Sequence, residues 1–140
     1  MNTLPLSLIL PVYNDAAALA AFLPELTAWL ASQARAEIIV VDDGSRDDVR
    51  AVCTAAVLPE NVVLRLLTLS RNFGKEAALS AGLQAARGEA VAMMDADGQH
   101  PVAVLAEMLA LHRQGADMVA AVQAIIILLI SSQMLFHRLR

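Results

Sequence analysis

Aromatic side chains are scarce in this chain: one Trp, one Tyr and three Phe among 140 residues. Lysine is scarcer, since Lys75 stands alone and the remaining Lys and Arg positions are all Arg. Positive charge is also in deficit, with 10 Lys and Arg against 14 Asp and Glu and a formal net charge of −4. That balance argues against a nucleic-acid partner, which calls for a basic patch or stripe. A single cysteine, Cys53, rules out an internal disulfide and suits a reducing compartment. In a helical stretch it reads as a small buried hydrophobe rather than a nucleophile. Met1-Asn2-Thr3-Leu4-Pro5 lacks the basic n-region of a signal peptide. The longest apolar stretch, Met118 to Ile130, is broken by Gln123, and its about 13 residues fall short of the roughly 20 needed to span a bilayer. No repeat, low-complexity tract or linker is present. What remains is a chain that is 58% hydrophobic, long enough for one domain with a real core.

The apolar residues arrange as strands alternating with helices. Leu6 to Val12 is a short apolar run closed by Tyr13-Asn14, hence a strand. Asp15 stands where an N-cap belongs, before a helix over Ala16 to Gln33 in which Leu19, Phe22, Leu23, Leu26 and Leu30 recur at helical spacing. Pro24 inside that pattern implies a kink or a later helix start. Glu37 to Asp42 is a second strand, Arg46 to Ala56 a short helix, and Val62 to Leu69 a third strand. Gly74 to Arg87 is helical, with a stripe of small residues (Ala77, Ala78, Ala81, Gly82, Ala85) that lets a helix approach a sheet closely. Gly88 is expected at the C′ position of that helix. Ala90 to Met94 is the fourth strand, Pro101 to Gln114 a helix and Asp117 to Val122 a fifth strand. This alternation predicts an α/β fold, a mainly parallel sheet with helices on both faces. In such sheets ligands bind beyond the carboxyl ends of the strands, where the strand order reverses.

Two acidic clusters lie at such ends: Asp42-Asp43-Gly44-Ser45 and Asp95-Ala96-Asp97. Acidic residues at strand ends are also ordinary turn residues. Two clusters, joined by Tyr13-Asn14 in one crevice if the strand order is 3-2-1-4, favour a site. Carboxylates at i and i+2 can converge on one divalent cation, and hard cations such as Mg²⁺ take carboxylate oxygens together with substrate phosphates. The pattern therefore points to a metal–diphosphate site.

Four stretches resemble an inverting nucleotide-sugar glycosyltransferase of family 2, with a GT-A (Rossmann-like) fold. They are Pro11-Val12-Tyr13-Asn14-Asp15, Val41-Asp42-Asp43-Gly44-Ser45, Ser70-Arg71-Asn72-Phe73-Gly74-Lys75-Glu76-Ala77, and Asp95-Ala96-Asp97-Gly98-Gln99-His100-Pro101. The likeness is greatest to the polyprenyl-phosphate branch, the dolichol-phosphate mannose synthase type, and it covers about residues 5 to 122. The resemblance implies that Pro11, Val12, Tyr13, Asn14 and Asp15 line the base and ribose pocket. It implies that Asp42 contacts the nucleoside with Asp43 and Ser45 beside it, and that Arg71, Gly74 and Lys75 lie near the phosphates. Asp95, Ala96 and Asp97 match the metal–diphosphate motif, and Gln99 matches a further ligand of Mg²⁺ or Mn²⁺. The implied partners are a nucleotide-diphosphate sugar donor and a lipid-phosphate acceptor, whose oxygen is already ionised near neutral pH and needs no general base.

The likeness fades after Val122, so residues 1–122 read as the nucleotide-sugar-binding core and 123–140 as an atypical apolar segment followed by an amphipathic helix. The apolar run Ala124 to Ile130, where the family has a polar loop, and the mixed apolar and cationic segment Ser131 to Arg140 leave three partners open: the sheet, a second copy of the chain, or a membrane surface. A cytoplasmic chain, peripheral at the inner face of the membrane, is expected from the last of these. Since the matching stretches are those of the donor half and residues 123–140 do not resemble the acceptor half, a non-catalytic nucleotide-sugar-binding remnant or subunit is the competing expectation. Asp95-Ala96-Asp97-Gly98 also resembles the opening of haloacid-dehalogenase phosphatases, but there it ends the first strand, not the fourth. A nucleotidyltransferase would need a glycine-rich basic loop after the first strand, which is absent here.

Overall fold

The computed structural model describes residues 4–96, 102–116, 118–121 and 127–131. Its elements run β1 (Leu4–Val12), α1 (Ala16–Leu30), β2 (Ala36–Asp42), α2 (Val49–Ala55), β3 (Val62–Thr68), α3 (Lys75–Ala85), β4 (Gly88–Met93), α4 (Val102–Arg113), β5 (Met118–Ala121) and β6 (Ile127–Ser131). They form a six-stranded sheet of order β3-β2-β1-β4-β6-β5. The expected order 3-2-1-4 is present, and β1 to β4 pair in parallel.

Because successive residues of a strand face opposite sides, the apolar runs split into two sets. Leu8, Leu10, Ile38, Val40 and Ala92 join Leu19, Phe22, Leu26 and Leu30 of α1 and Leu105 and Met108 of α4 in the larger core. Ile9, Ile39, Val41, Val91 and Met93 face the other way and pack with Ala78 of α3. All seven residues of β2 are buried, which fits a central strand covered on both faces. The small stripe on α3 has the expected effect at Gly82, where an added Cβ would lie 2.5 Å from Ile9 Cγ2.

Three details differ from the sequence reading, each for a local reason. Asp15 occupies the N-cap position of α1 but makes no side-chain cap. Asp47, from the loop after β2, accepts the Ala16 N–H at 2.9 Å instead. Helix α2 starts at Val49 rather than Arg46, because Asp48 caps it by accepting the Ala51 N–H at 2.9 Å. Gly88 is not a helix terminator. Helix α3 stops when Ala86 turns extended, and Gly88 opens β4 with its N–H on Ser7 Oγ at 2.8 Å. Of the partners left open for the apolar run, the sheet takes Ile127–Ser131, a strand that pairs antiparallel with both β4 and β5. The segment 132–140 lies outside the described residues. Pro24 stays within α1, so the later helix start is not seen.

Candidate functional site

Strand register decides what meets at the carboxyl edge of the sheet. Val12 pairs with Asp42 and Asp42 with Thr68, so β1, β2 and β3 end in one row. Ile9 pairs with Met93, and continuing that register by two residues sets Asp95 level with Pro11. The chain leaving each strand therefore enters the same crevice. A cleft of about 340 Å³ opens there, lined by Pro11, Val12, Tyr13, Asp43, Asn72, Gly74, Lys75, Ala78 and Asp95. Seven of these nine are sequence-expected site residues, drawn from all four stretches; Asn72 and Ala78 are the additions.

The expected residues outside the cleft wall shape it. Asn14 takes a left-handed backbone conformation, φ 52°, which Asn tolerates better than most residues. Its N–H donates to Ser45 Oγ at 3.0 Å, and its Oδ1 accepts the Arg46 N–H at 2.7 Å. Asp42 is buried, and its Oδ1 accepts the Ser45 N–H at 2.9 Å. These bonds clamp the turn after β1 to the loop after β2. Asp15 is exposed and Ala96 is buried. The Arg71 guanidinium lies 4.6 Å from the centroid of the Phe73 ring. Asp97 and Gln99, the other expected metal ligands, and His100 lie outside the described residues.

Asp43 has a role the sequence did not reveal. It is 3% exposed, and both carboxylate oxygens are used by the loop before α3. Oδ1 accepts the Phe73 N–H at 2.8 Å, and Oδ2 accepts the Gly74 N–H and Asn72 Nδ2, each at 3.0 Å. The same two loops touch at Gly44, whose φ is +73° and where any Cβ would collide with the Arg71–Asn72 backbone. Gly44 thus serves both a positive φ and a close approach. Asp43 fixes the loop that delivers Lys75, the first residue of α3, to the cleft. There the Lys75 ammonium forms an ion pair with Asp95 Oδ1.

The metal expectation can be tested on this geometry. Asp95 presents hard oxygen to the cleft, and a cation, the Lys75 ammonium, already sits against it. The donor type and charge fit a divalent ion. Among the described residues no group of three or more His, Cys, Asp or Glu is gathered for a metal, so Asp95 alone represents the proposed set. A larger concavity, about 820 Å³, lies between α1 and α2 and is walled by Leu23, Pro24, Val52 and Leu58 among others. Its apolar lining does not suit a diphosphate. Cys53, half-buried beside it, packs against the core, and burial raises its thiol pKa above the ordinary value. A protonated thiol is a poor nucleophile, in keeping with a packing role.

The family model for Glycosyl transferase family 2 matches residues 7–130. An undecaprenyl-phosphate 4-deoxy-4-formamido-L-arabinose transferase of Pseudomonas paraeruginosa is 36% identical over 118 residues, covering 84% of this chain and 35% of that protein. A bactoprenol glucosyl transferase of Shigella phage SfV is 36% identical over 117 residues, covering 83% of this chain and 38% of that protein. The chain thus spans little more than a third of the length of these relatives. Among solved structures, the mannosyltransferase PcManGT from Pyrobaculum calidifontis, in complex with GDP-Man and Mn²⁺, superposes with a TM-score of 0.57 at 27% identity, covering 69% of this chain and 28% of that one. The sheet order, the cleft at its switch point and these matches agree: the chain has the GT-A fold and belongs to glycosyl transferase family 2.

Proposed function

We propose that this chain is the donor-binding part of a glycosyltransferase that moves a sugar, with inversion, from a nucleotide-diphosphate sugar to a polyprenyl phosphate. The observation that carries this is the cleft, which gathers Tyr13, Asp43, Lys75 and Asp95 at one switch point. The names of the similar proteins point to polyprenyl-phosphate acceptors, and one similar structure holds GDP-Man with Mn²⁺.

On this reading the ends of β1 and β2, Pro11 to Asp15 with Asp42 and Ser45, hold the nucleoside. Buried Asp42 accepts a hydrogen bond from a base N–H or a ribose hydroxyl. Asp95, Asp97 and Gln99 would hold Mg²⁺ or Mn²⁺, with Ala96 as the backbone between them. The ion, when bound, supplies Lewis-acid stabilisation of the charge that develops on the departing diphosphate. Lys75 adds a positive charge at the cleft, and Arg71 a second one on the same loop. Asp43 keeps that loop in place.

Transfer of radiolabelled sugar from UDP- and GDP-sugars to a short-chain polyprenyl phosphate, with Mn²⁺ and with EDTA, tests the proposal. Product that appears with Mn²⁺, disappears with EDTA and is lost in Asp97→Asn is expected. The length shared with the relatives favours one competing reading, a nucleotide-sugar-binding module completed by further chain. Nucleotide binding by calorimetry with no transfer to any acceptor would select that reading.

Membrane association at the inner face belongs to the same proposal, because a lipid-linked acceptor requires the cleft to sit at a surface. No described helix is long and apolar enough to cross a bilayer; the contact proposed for this part of the chain is a peripheral one. Co-sedimentation with anionic vesicles is expected; absence of the protein from the pellet would remove both the membrane contact and much of the case for a lipid acceptor.

A further inference from the structure

We propose that Lys75 is an internal counter-ion that holds the cation position of the donor cleft until metal and nucleotide arrive, and thereby couples their binding. The inference rests on the reading of Asp95 as a metal ligand.

Three observations carry it. First, Lys75 and Asp95 both line the cleft and are paired across it, with side chains 53% and 17% exposed. The ammonium is thus in contact with the carboxylate that a divalent ion would take. Second, Asp43, the other acid lining the cleft, has both oxygens committed to the Asn72–Gly74 loop. Asp95 is the carboxylate that holds the ammonium. Third, Lys75 is the first residue of α3. The positive end of a helix dipole disfavours a cation in the first turn and favours an anion there, so the ion pair with Asp95 offsets an unfavourable placement.

A divalent ion at Asp95 would put two cations on one carboxylate, so Lys75 must withdraw when the metal binds. Its flexible four-carbon stem and exposed position permit this. With metal alone, the ammonium exchanges a carboxylate for water beside a helix N-terminus. With a nucleoside diphosphate present, it gains an anionic partner at the same place. Metal alone should therefore bind weakly, and metal and nucleotide should strengthen each other. By linkage the coupling is equal in both directions.

The test uses the full chain and measures Mn²⁺ alone, then UDP and GDP with Mn²⁺, by the free-Mn²⁺ electron paramagnetic resonance signal and by calorimetry. Lys75→Met should bind Mn²⁺ alone at least about threefold tighter, in line with the modest worth of a part-exposed ion pair. The same variant should bind nucleotide in saturating Mn²⁺ at least about threefold more weakly. Lys75→Arg, which keeps the charge, should show no gain in Mn²⁺ affinity, and Lys75→Gln should repeat the Met result. In an Asp95→Asn background the Met substitution should give no gain, as a double-mutant cycle requires. A lysine that merely supports the fold would shift both affinities the same way. Mn²⁺ affinity that is unchanged, reduced or undetectable in both Lys75→Met and the parent overturns the coupling. If Asp95→Asn leaves Mn²⁺-dependent nucleotide binding intact, the metal reading of Asp95 falls with it. Retained dependence on Asp95 without opposite shifts overturns the coupling alone.

Discussion

Buried carboxylates near the amino end of β2 and just past its carboxyl end do opposite jobs. At the amino end Glu37 is 1% exposed. Its Oε2 accepts Ser7 Oγ of β1 and the Arg87 N–H, each at 3.0 Å, and its Oε1 accepts Arg65 Nη1 of β3 at 2.6 Å. Arg65 reaches on to the carbonyl of Ala85, the last residue of α3, at 2.9 Å. At the carboxyl end Asp43 is equally satisfied, but every bond comes from one loop, Asn72 to Gly74. Glu37 neutralises its charge with a cation and fastens strands together. Asp43 takes neutral donors and leaves Lys75 on the cleft side. One acid closes the sheet, and the other holds a loop in position while leaving the local cation to Asp95 at the cleft.

The largest effect that would break this comparison is on stability at the amino end. Glu37→Ala leaves Arg65 without its counter-charge, with only the Ala85 carbonyl as acceptor, and removes the acceptor of the Arg87 N–H and the Ser7 hydroxyl. Removing one partner of a buried pair costs about 3 to 5 kcal/mol, and the part-exposed Arg65 places this pair at the lower end. Urea denaturation should show the loss, while nucleotide affinity of the still-folded fraction stays at the parent value. A loss below about 1 kcal/mol would mean that Glu37 behaves like a surface ion pair.

Asp43→Ala should invert that pattern. The loop loses three donors' partner, and nucleotide affinity should fall about tenfold or more, in line with the roughly 1.5–3 kcal/mol of a hydrogen bond to a charged group. The melting temperature should fall less than in Glu37→Ala, because a loop and not a strand is released. Equal losses of stability in the two variants would erase the distinction.

Asp42→Ala, one residue earlier, separates loop support from nucleoside contact. Affinity for UDP or GDP should fall about tenfold, whereas Asp43→Ala should also weaken the Lys75-dependent response to Mn²⁺. An Asp42→Ala protein with parent affinity and intact circular dichroism would remove Asp42 from the nucleoside site.

The smallest effect concerns the cap of α1. Asp47→Ala should cost about 1 kcal/mol, the usual worth of an N-cap side chain, and Asp15→Ala close to none, read by urea denaturation. The reverse order would restore Asp15 as the cap.

The parts legible in the sequence are those that depend on periodicity. Strands β1 to β4 show as short apolar runs bounded by turn residues; their order was not legible, because right-handed crossovers fix the hand of each connection and leave more than one order open. The cleft was legible because its acids stand directly after those runs. Glu37 was not, since a glutamate within a strand gives no sign that three neighbours at different sequence distances will bury it. The division of labour between Asp42 and Asp43 was hidden for the same reason: adjacent acids look alike until the Asn72–Gly74 loop is laid against one of them. Strand β6 escaped because a continuous run of Ala, Ile and Leu carries neither a helix nor a strand period. The cap of α1 was misplaced because local rules look for a donor's partner in the adjoining residue, and Asp47 lies far along the chain.

Strand β6 sits between β4 and β5, although β5 precedes it in the chain. In the finished sheet β4 has β1 on one side and Ile127–Ser131 on the other, so among the described strands that second edge is closed by the last one to be made. An unpaired strand edge is a template for another chain's backbone. A chain cut at residue 122 would expose that template immediately beside the cleft, and its first failure would be self-association rather than loss of nucleotide chemistry.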